Sequence, residues 1–160
     1  MWQANDMREN YIKRNFLAGY QAAEAAGGGR QKVFLKYGAN HLFAGRSPTD
    51  VLSLGNFVIN YAAMRGLGTF SIHVDCWGGN SSNPQTGSEL PCNSYFLGED
   101  AGLAKFVFAE RPTLINLKAL RPHRRLLNAT LDDNSLELIW SFDAYLAFPN
   151  VTAATPVSLE

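Results

Sequence analysis

The sequence has no surplus of charge of either sign, with Lys plus Arg at 14 and Asp plus Glu at 14. Without a net field the chain as a whole is not drawn to nucleic acid or to an anionic membrane surface, so a partner must be recognised locally. It also lacks a long apolar run. Leu54 to Ala63 and Ala101 to Ala109 are broken by polar residues and too short to cross the roughly 30 Å of a bilayer core, which points to a soluble chain with no membrane partner. Nor is there a phosphate loop ending in lysine, a dinucleotide glycine fingerprint, a Gly-x-Ser-x-Gly elbow or a Cys-x-x-Cys pair. Nucleotide and thiol chemistry are disfavoured accordingly.

Cysteine is scarce. Cys76 and Cys92 are the only two; they flank a polar segment and permit one disulfide without requiring it. Asn80-Ser81-Ser82, Asn128-Ala129-Thr130 and Asn150-Val151-Thr152 match the glycosylation pattern, which short triplets also meet by chance. Neither feature fixes a compartment, and bacterial cytoplasm, periplasm and export all stay open. The first residues, Met1 to Asp6, are polar and lead into an amphipathic pattern rather than a signal peptide, as expected of a chain that begins in mid-fold.

What is present suffices for one ordinary core, since 160 residues at 46% hydrophobic composition bury about 70% of the unfolded surface. Asn5 or Asp6 can cap a helix running to about Ala26, stopped by Gly27-Gly28-Gly29. Arg8, Ile12, Asn15, Gly19, Ala22 and Ala23 share one stripe of it, and Ile12, Phe16 and Tyr20 the next, which puts Arg8 and Asn15 at the border of the apolar side and Lys13 and Glu24 in water. Lys32 to Tyr37 reads as a strand ending in the turn Gly38-Ala39-Asn40-His41. Ser47-Pro48-Thr49-Asp50 reads as a helix start, with Leu54, Phe57, Val58, Tyr61 and Ala62 continuing its apolar stripe to Gly66. Thr69 to Trp77 alternates, with Phe70, Ile72, Val74 and Cys76 on one face and Ser71, His73 and Asp75 on the other. The polar stretch Gly78 to Ser94 is long enough to be a lid. A helix from Glu99 to Ala109, a strand from Thr113 to Lys118, a short helix from Pro122 to Asn128 and one or two strands within Leu136 to Phe148 complete a single α/β domain over residues 1–160. The alternation predicts a mostly parallel sheet flanked by helices, with ligands gathering beyond the carboxyl ends of its strands.

His41 occupies such a position. Imidazole suits proton transfer near neutrality and ligates metals, while a histidine beside Asn40 also serves to hold a turn. Arg8, a guanidinium at the edge of a packing face, needs an acceptor from the protein or from an anionic ligand. Glu9 is either a general base or metal ligand, or simply an acid in a first helical turn. His73 and Asp75, about 7 Å apart on one strand face, have the geometry of a relay or a metal pair, but no third ligand follows at a recognisable interval and a solvated face is the preferred reading. His123, within Arg121-Pro122-His123-Arg124-Arg125, belongs to a basic cluster.

Several of these segments together resemble the erythromycin esterase-like proteins, and more distantly the haem-binding uptake and TIKI-type proteins of the same superfamily. Arg8 to Phe16 is similar to that group's helix motif, with Ile12 where many members have methionine. Lys32 to Gly45, centred on Gly38-Ala39-Asn40-His41, resembles the segment that places a histidine in the cleft. Leu54-Gly55-Asn56-Phe57 resembles the helix that follows, and Phe142 to Leu146 with Val151-Thr152 the closing strand. The resemblance implies an α/β hydrolase in which histidine and acidic residues activate water against an ester or similar acyl bond of a small-molecule substrate. His41, Arg8 and Glu9 would be catalytic, with Asn15 and Asn40 as substrate-binding groups. It implies no certain cofactor; a haem- or divalent-metal-binding module without turnover, with His41 as ligand and Tyr37 or His73 assisting, is the other reading. The family's opening strand, with its glutamate and histidine motif, has no counterpart here. The chain is therefore expected to be a carboxyl-terminal part whose partner is the missing amino-terminal half of the same fold.

Overall fold

In the computed structural model, which describes residues 2–27, 31–83, 86–94, 97–98 and 102–153, the chain divides into two compact units, residues 1–70 and 71–160.

The first unit is built on two helices. α1 spans Trp2–Gly27, so Asn5 and Asp6, expected to cap it, lie inside it, and it runs to its expected glycine stop; Gly28 and Gly29 lie outside the described residues. Its inward stripe is Glu9, Ile12, Phe16 and Tyr20, whereas Arg8 and Asn15 are exposed. α2 spans Leu54–Met64. Aromatic rings knit the two together, Phe16 edge-on to Phe57 at 6.3 Å and Tyr20 edge-on to Tyr61 at 5.8 Å. Glu24, expected in water, is instead clamped by Arg65 through two hydrogen bonds of 2.6 and 2.8 Å.

Two expectations fail in this unit. Lys32 to Tyr37 forms no strand, because its extended backbone finds no ladder partner, and Phe34 is 89% exposed. The serine that caps α2 is Ser53, not Ser47. Asp50 adopts a left-handed φ of 58° that no continuing helix accommodates, so residues 47–50 close a turn instead, with Asp50 N–H donating to Ser47 O and Ser47 N–H to Val51 O. Ser53 Oγ then accepts from Asn56 N–H at 3.3 Å and donates to Phe43 O at 2.7 Å.

The second unit carries a three-stranded sheet in the order β1, β5, β4. These are β1 Ile72–Cys76, β4 Thr113–Asn116 and β5 Ala144–Phe148. β1 pairs with β5 in parallel and β4 with β5 antiparallel, so the fold is α/β but the sheet is mixed, not mostly parallel as expected. Between β4 and β5 lie a short 3₁₀ run, Lys118–His123, and the helices α3, Arg124–Thr130, and α4, Asp133–Ser141. Leu136 to Trp140, expected in a strand, belongs to α4, whose start is fixed by Asp132 accepting from Ser135 N–H at 2.9 Å and whose buried stripe holds Ser135, Leu138 and Ile139.

The helix expected from Glu99 to Ala109 shrinks to one 3₁₀ turn, Ala104–Phe106; Glu99 and Asp100 lie outside the described residues. Asp132 Oδ2 takes the N–H of Gly102 and Ser135 Oγ that of Leu103, so these donors serve the start of α4. In the Gly78 to Ser94 stretch, β2, Asn80–Ser82, and β3, Glu89–Pro91, pair as a small antiparallel hairpin. The disulfide left open by the sequence is formed between Cys76 and Cys92.

β1 is inverted relative to expectation. Its polar face points inward, with His73 only 4% exposed, while Ile72 and Val74 are 41% and 59% exposed. His73 stacks on Tyr145, its partner in the register, with ring centroids 5.6 Å apart, and also meets Phe142 at 5.1 Å. An imidazole between two aromatic rings buries as an aromatic does.

Candidate functional site

In the first unit one helix, one turn and one helix start converge on a buried carboxylate. Glu9 lies on the inward stripe of α1 and is 2% exposed. Its Oε1 meets His41 Nδ1 in a short contact, and its Oε2 accepts the backbone N–H of Leu54, the first residue of α2, at 3.0 Å. Leu54 N–H is one of the donors a helix start leaves unsatisfied, and the positive end of the helix favours a negative group there. That is how an acid is tolerated at this depth.

His41 closes the 3₁₀ turn Ala39–His41, in which its N–H donates to Gly38 O at 3.0 Å and Leu42 N–H to Ala39 O at 2.8 Å. The turn is pressed against the start of α2. A Cβ on Gly55 would lie 2.3 Å from Leu42 O and 2.6 Å from Leu42 Cα, an approach that only glycine permits. The His41 side chain stays 19% exposed, with the Tyr37 ring 5.8 Å away. Lys13 Nζ, expected in solvent, donates to Leu52 O and pins the chain ahead of α2.

Acceptance by a carboxylate places the Nδ1 proton on His41 as donor and leaves Nε2 with a lone pair. A histidine held in one tautomer by a buried acid can take a proton from water and return it to a leaving group.

Of the residues expected here, the structure brings together His41 and Glu9. Arg8 and Asn15 are exposed and make no hydrogen bond or ion pair with either. Asn40 adjoins His41 in the turn, but its Oδ1 is shut off from solvent and has no hydrogen-bond partner among the described residues. Ser53, which the sequence did not single out, and Gly55, read there only as part of the helix after His41, fix the start of α2 against the His41 turn. The burial of Glu9 was not read from the sequence, where an acid near a helix start is ordinarily a surface residue, although it stands three residues before Ile12 and seven before Phe16 on one helical stripe.

A second polar group occupies the inward face of β1. Asp75 Oδ2 accepts from Ser94 Oγ at 2.6 Å and from Tyr145 Oη at 3.1 Å, Tyr145 Oη accepts in turn from Trp77 Nε1 at 2.5 Å, and His73 Nε2 lies 3.8 Å from Asp75 Oδ2. Burial works to raise the Asp75 pKa, but the nearby His73 imidazole and the hydrogen bonds from Ser94 Oγ and Cys76 N–H prevail and hold it below the usual value. Burial pushes the Tyr145 phenol well above its ordinary range. The face expected to be solvated is thus a buried cluster.

Among the described residues no three of His, Cys, Asp and Glu gather as a metal shell. His41 Nδ1 meets Glu9, which leaves Nε2 as its one nitrogen open to a ligand, and His73, the proposed assistant, is packed between rings. No helix of the described residues is long and apolar enough to cross a membrane. No family model, curated protein or solved structure matches the chain.

Proposed function

We propose that the chain supplies the histidine and acid of an ester-hydrolysing site of the erythromycin esterase-like kind, as the carboxyl-terminal part of such an enzyme. The observation that supports this reading is the buried carboxylate of Glu9 held between His41 Nδ1 and the Leu54 N–H. In the reaction, His41 Nε2 removes a proton from water as its oxygen attacks the acyl carbon. Glu9 faces the imidazolium so formed, and the same proton then passes to the departing alkoxide. Glu9 touches the base and not the substrate, so it is a positioning residue. Arg8 and Asn15, exposed on α1, take no part in this reading.

The test uses the gene product that contains this chain and a 4-nitrophenyl ester as probe. His41→Ala is expected to lower kcat by about a hundredfold or more with the circular dichroism spectrum retained. Glu9→Gln, which keeps an acceptor for Leu54 N–H, is expected to lower kcat with KM little changed. Hydrolysis by His41→Ala at the parent rate refutes the assignment.

A further inference from the structure

The β2–β3 hairpin is a two-stranded ribbon of small and polar residues, and Glu89, Leu90 and Pro91 are all exposed. Such a ribbon is at best marginally stable by itself, so its position is set by what ties it down. Backbone bonds run from Cys92 N–H to Gly79 O at 2.9 Å and from Asn80 N–H to Val151 O at 2.7 Å. Beyond these, two ties hold its far end to β1: the Cys76–Cys92 disulfide and, two residues on, the bond from Ser94 Oγ to Asp75. Cys92 is 4% exposed and closed to a reagent. Cys76 lines an open cleft of about 620 Å³ at the carboxyl ends of β1 and β5, with Val74, Phe148 and Val151 around it.

We propose that the disulfide is a redox latch: oxidised, it holds the hairpin and Ser94 over the Asp75 carboxylate, and a protein dithiol entering the cleft at Cys76 releases them. A thiolate of the dithiol attacks Cys76 Sγ, the Sγ–Sγ bond breaks, and Cys92 leaves as a thiolate that takes up a proton. The second thiolate of the dithiol then displaces Cys76 from the mixed disulfide. The dithiol is oxidised by two electrons, and Cys76 and Cys92 end as thiols. Release leaves Asp75 without its serine donor and opens the His73, Asp75 and Tyr145 group to water. β1 and β5 keep their own ladder and stay in place.

Hydrogen exchange read by mass spectrometry on the oxidised and the dithiothreitol-reduced chain tests this. Peptides covering residues 80–83 and 86–94 are expected to exchange about tenfold faster or more on reduction, while those of β1, β5 and α4 are unchanged. The double variant Cys76→Ser with Cys92→Ser is expected to reproduce the reduced pattern, whereas Ser94→Ala in the oxidised chain is expected to leave the hairpin protected. Identical exchange in the two redox states overturns the latch. So does simultaneous loss of protection in β1 and β5, which would make the disulfide a staple of the whole unit.

Discussion

Replacing Gly55 with alanine tests the geometry on which the site depends. The added Cβ would stand 2.3, 2.4 and 2.6 Å from the O, C and Cα of Leu42, against an ordinary carbon contact of about 3.5 Å. All three are backbone atoms, so no side-chain rotation relieves the overlap and the turn must retreat from α2 by roughly 1 Å. Overpacking of this kind costs about 1–3 kcal/mol, and the helix preference of alanine over glycine returns up to about 1 kcal/mol. The balance is destabilising by about 1–2 kcal/mol, or a fall in Tm of several degrees for a domain of this size. Because Leu42 follows His41, the same retreat draws the imidazole from Glu9, and a displacement near 1 Å in a catalytic group costs on the order of a hundredfold in rate. Thermal unfolding followed by circular dichroism measures the first effect and ester hydrolysis the second. A Gly55→Ala protein as stable as the parent and equally active would show that the close approach does not exist.

Ser53→Ala removes the α2 cap and leaves the buried Phe43 carbonyl without its donor, and denaturant titration is expected to show a loss of about 2–3 kcal/mol. Gly79→Ala puts a methyl 2.0 Å from Val151 O at a φ of +81°; the bridge to Val151 is expected to open, seen as faster exchange of the Asn80 and Val151 amides. For Asp75 the folded pKa is depressed, so its contribution to stability is present above the unfolded value of about 3.9 and is lost as pH falls through the folded value. Unfolding midpoints of the parent are expected to drop below about pH 4, and Asp75→Asn is expected to flatten that acid limb. Replacing the pair together, Glu9→Leu with His41→Phe, is expected to leave stability within about 1–2 kcal/mol of the parent while abolishing hydrolysis, since apolar exchange of a buried ionic pair is often neutral or stabilising.

The parts of the fold that periodicity and turn residues determine were legible: α1 to its glycine stop, the turn at His41, the apolar stripe of α2, and β4. What escaped was decided by partners distant in sequence. Ser47-Pro48-Thr49-Asp50 has the local chemistry of a helix start as much as Ser53 does. Ser53 becomes the cap because its hydroxyl also reaches Phe43 O, ten residues away. Lys32 to Tyr37 has strand-forming residues, but a strand exists only where another lies beside it. Alternation in β1 separates two faces without saying which meets the core. His73 goes inward because Tyr145, 72 positions later, offers it a ring to stack on. Of the helix expected from Glu99 to Ala109, the described residues show one turn, Ala104–Phe106, with the N–H groups of Gly102 and Leu103 given to Asp132 and Ser135, 30 and 32 residues on.

Glu9 shows where a local reading misleads in the more informative direction. An acid in a first turn, as Glu9 was expected to be, is usually a surface residue stabilising its own helix, yet α1 begins at Trp2 and Glu9, two turns in, is 2% exposed and serves the start of another helix 45 positions on. Burying a carboxylate costs several kcal/mol of desolvation, which one backbone N–H and one imidazole only partly offset. A leucine there would fill the space between α1 and α2 without that cost. Stability alone therefore gives little reason for an acid at this position or for a histidine opposite it, whereas the proposed proton transfer uses both: a base with one nitrogen committed and the other free, and a fixed negative group to meet the charge that appears on it. The paired apolar replacement separates the two accounts: retained stability with lost hydrolysis favours the proposed role of His41, and a large loss of stability favours packing.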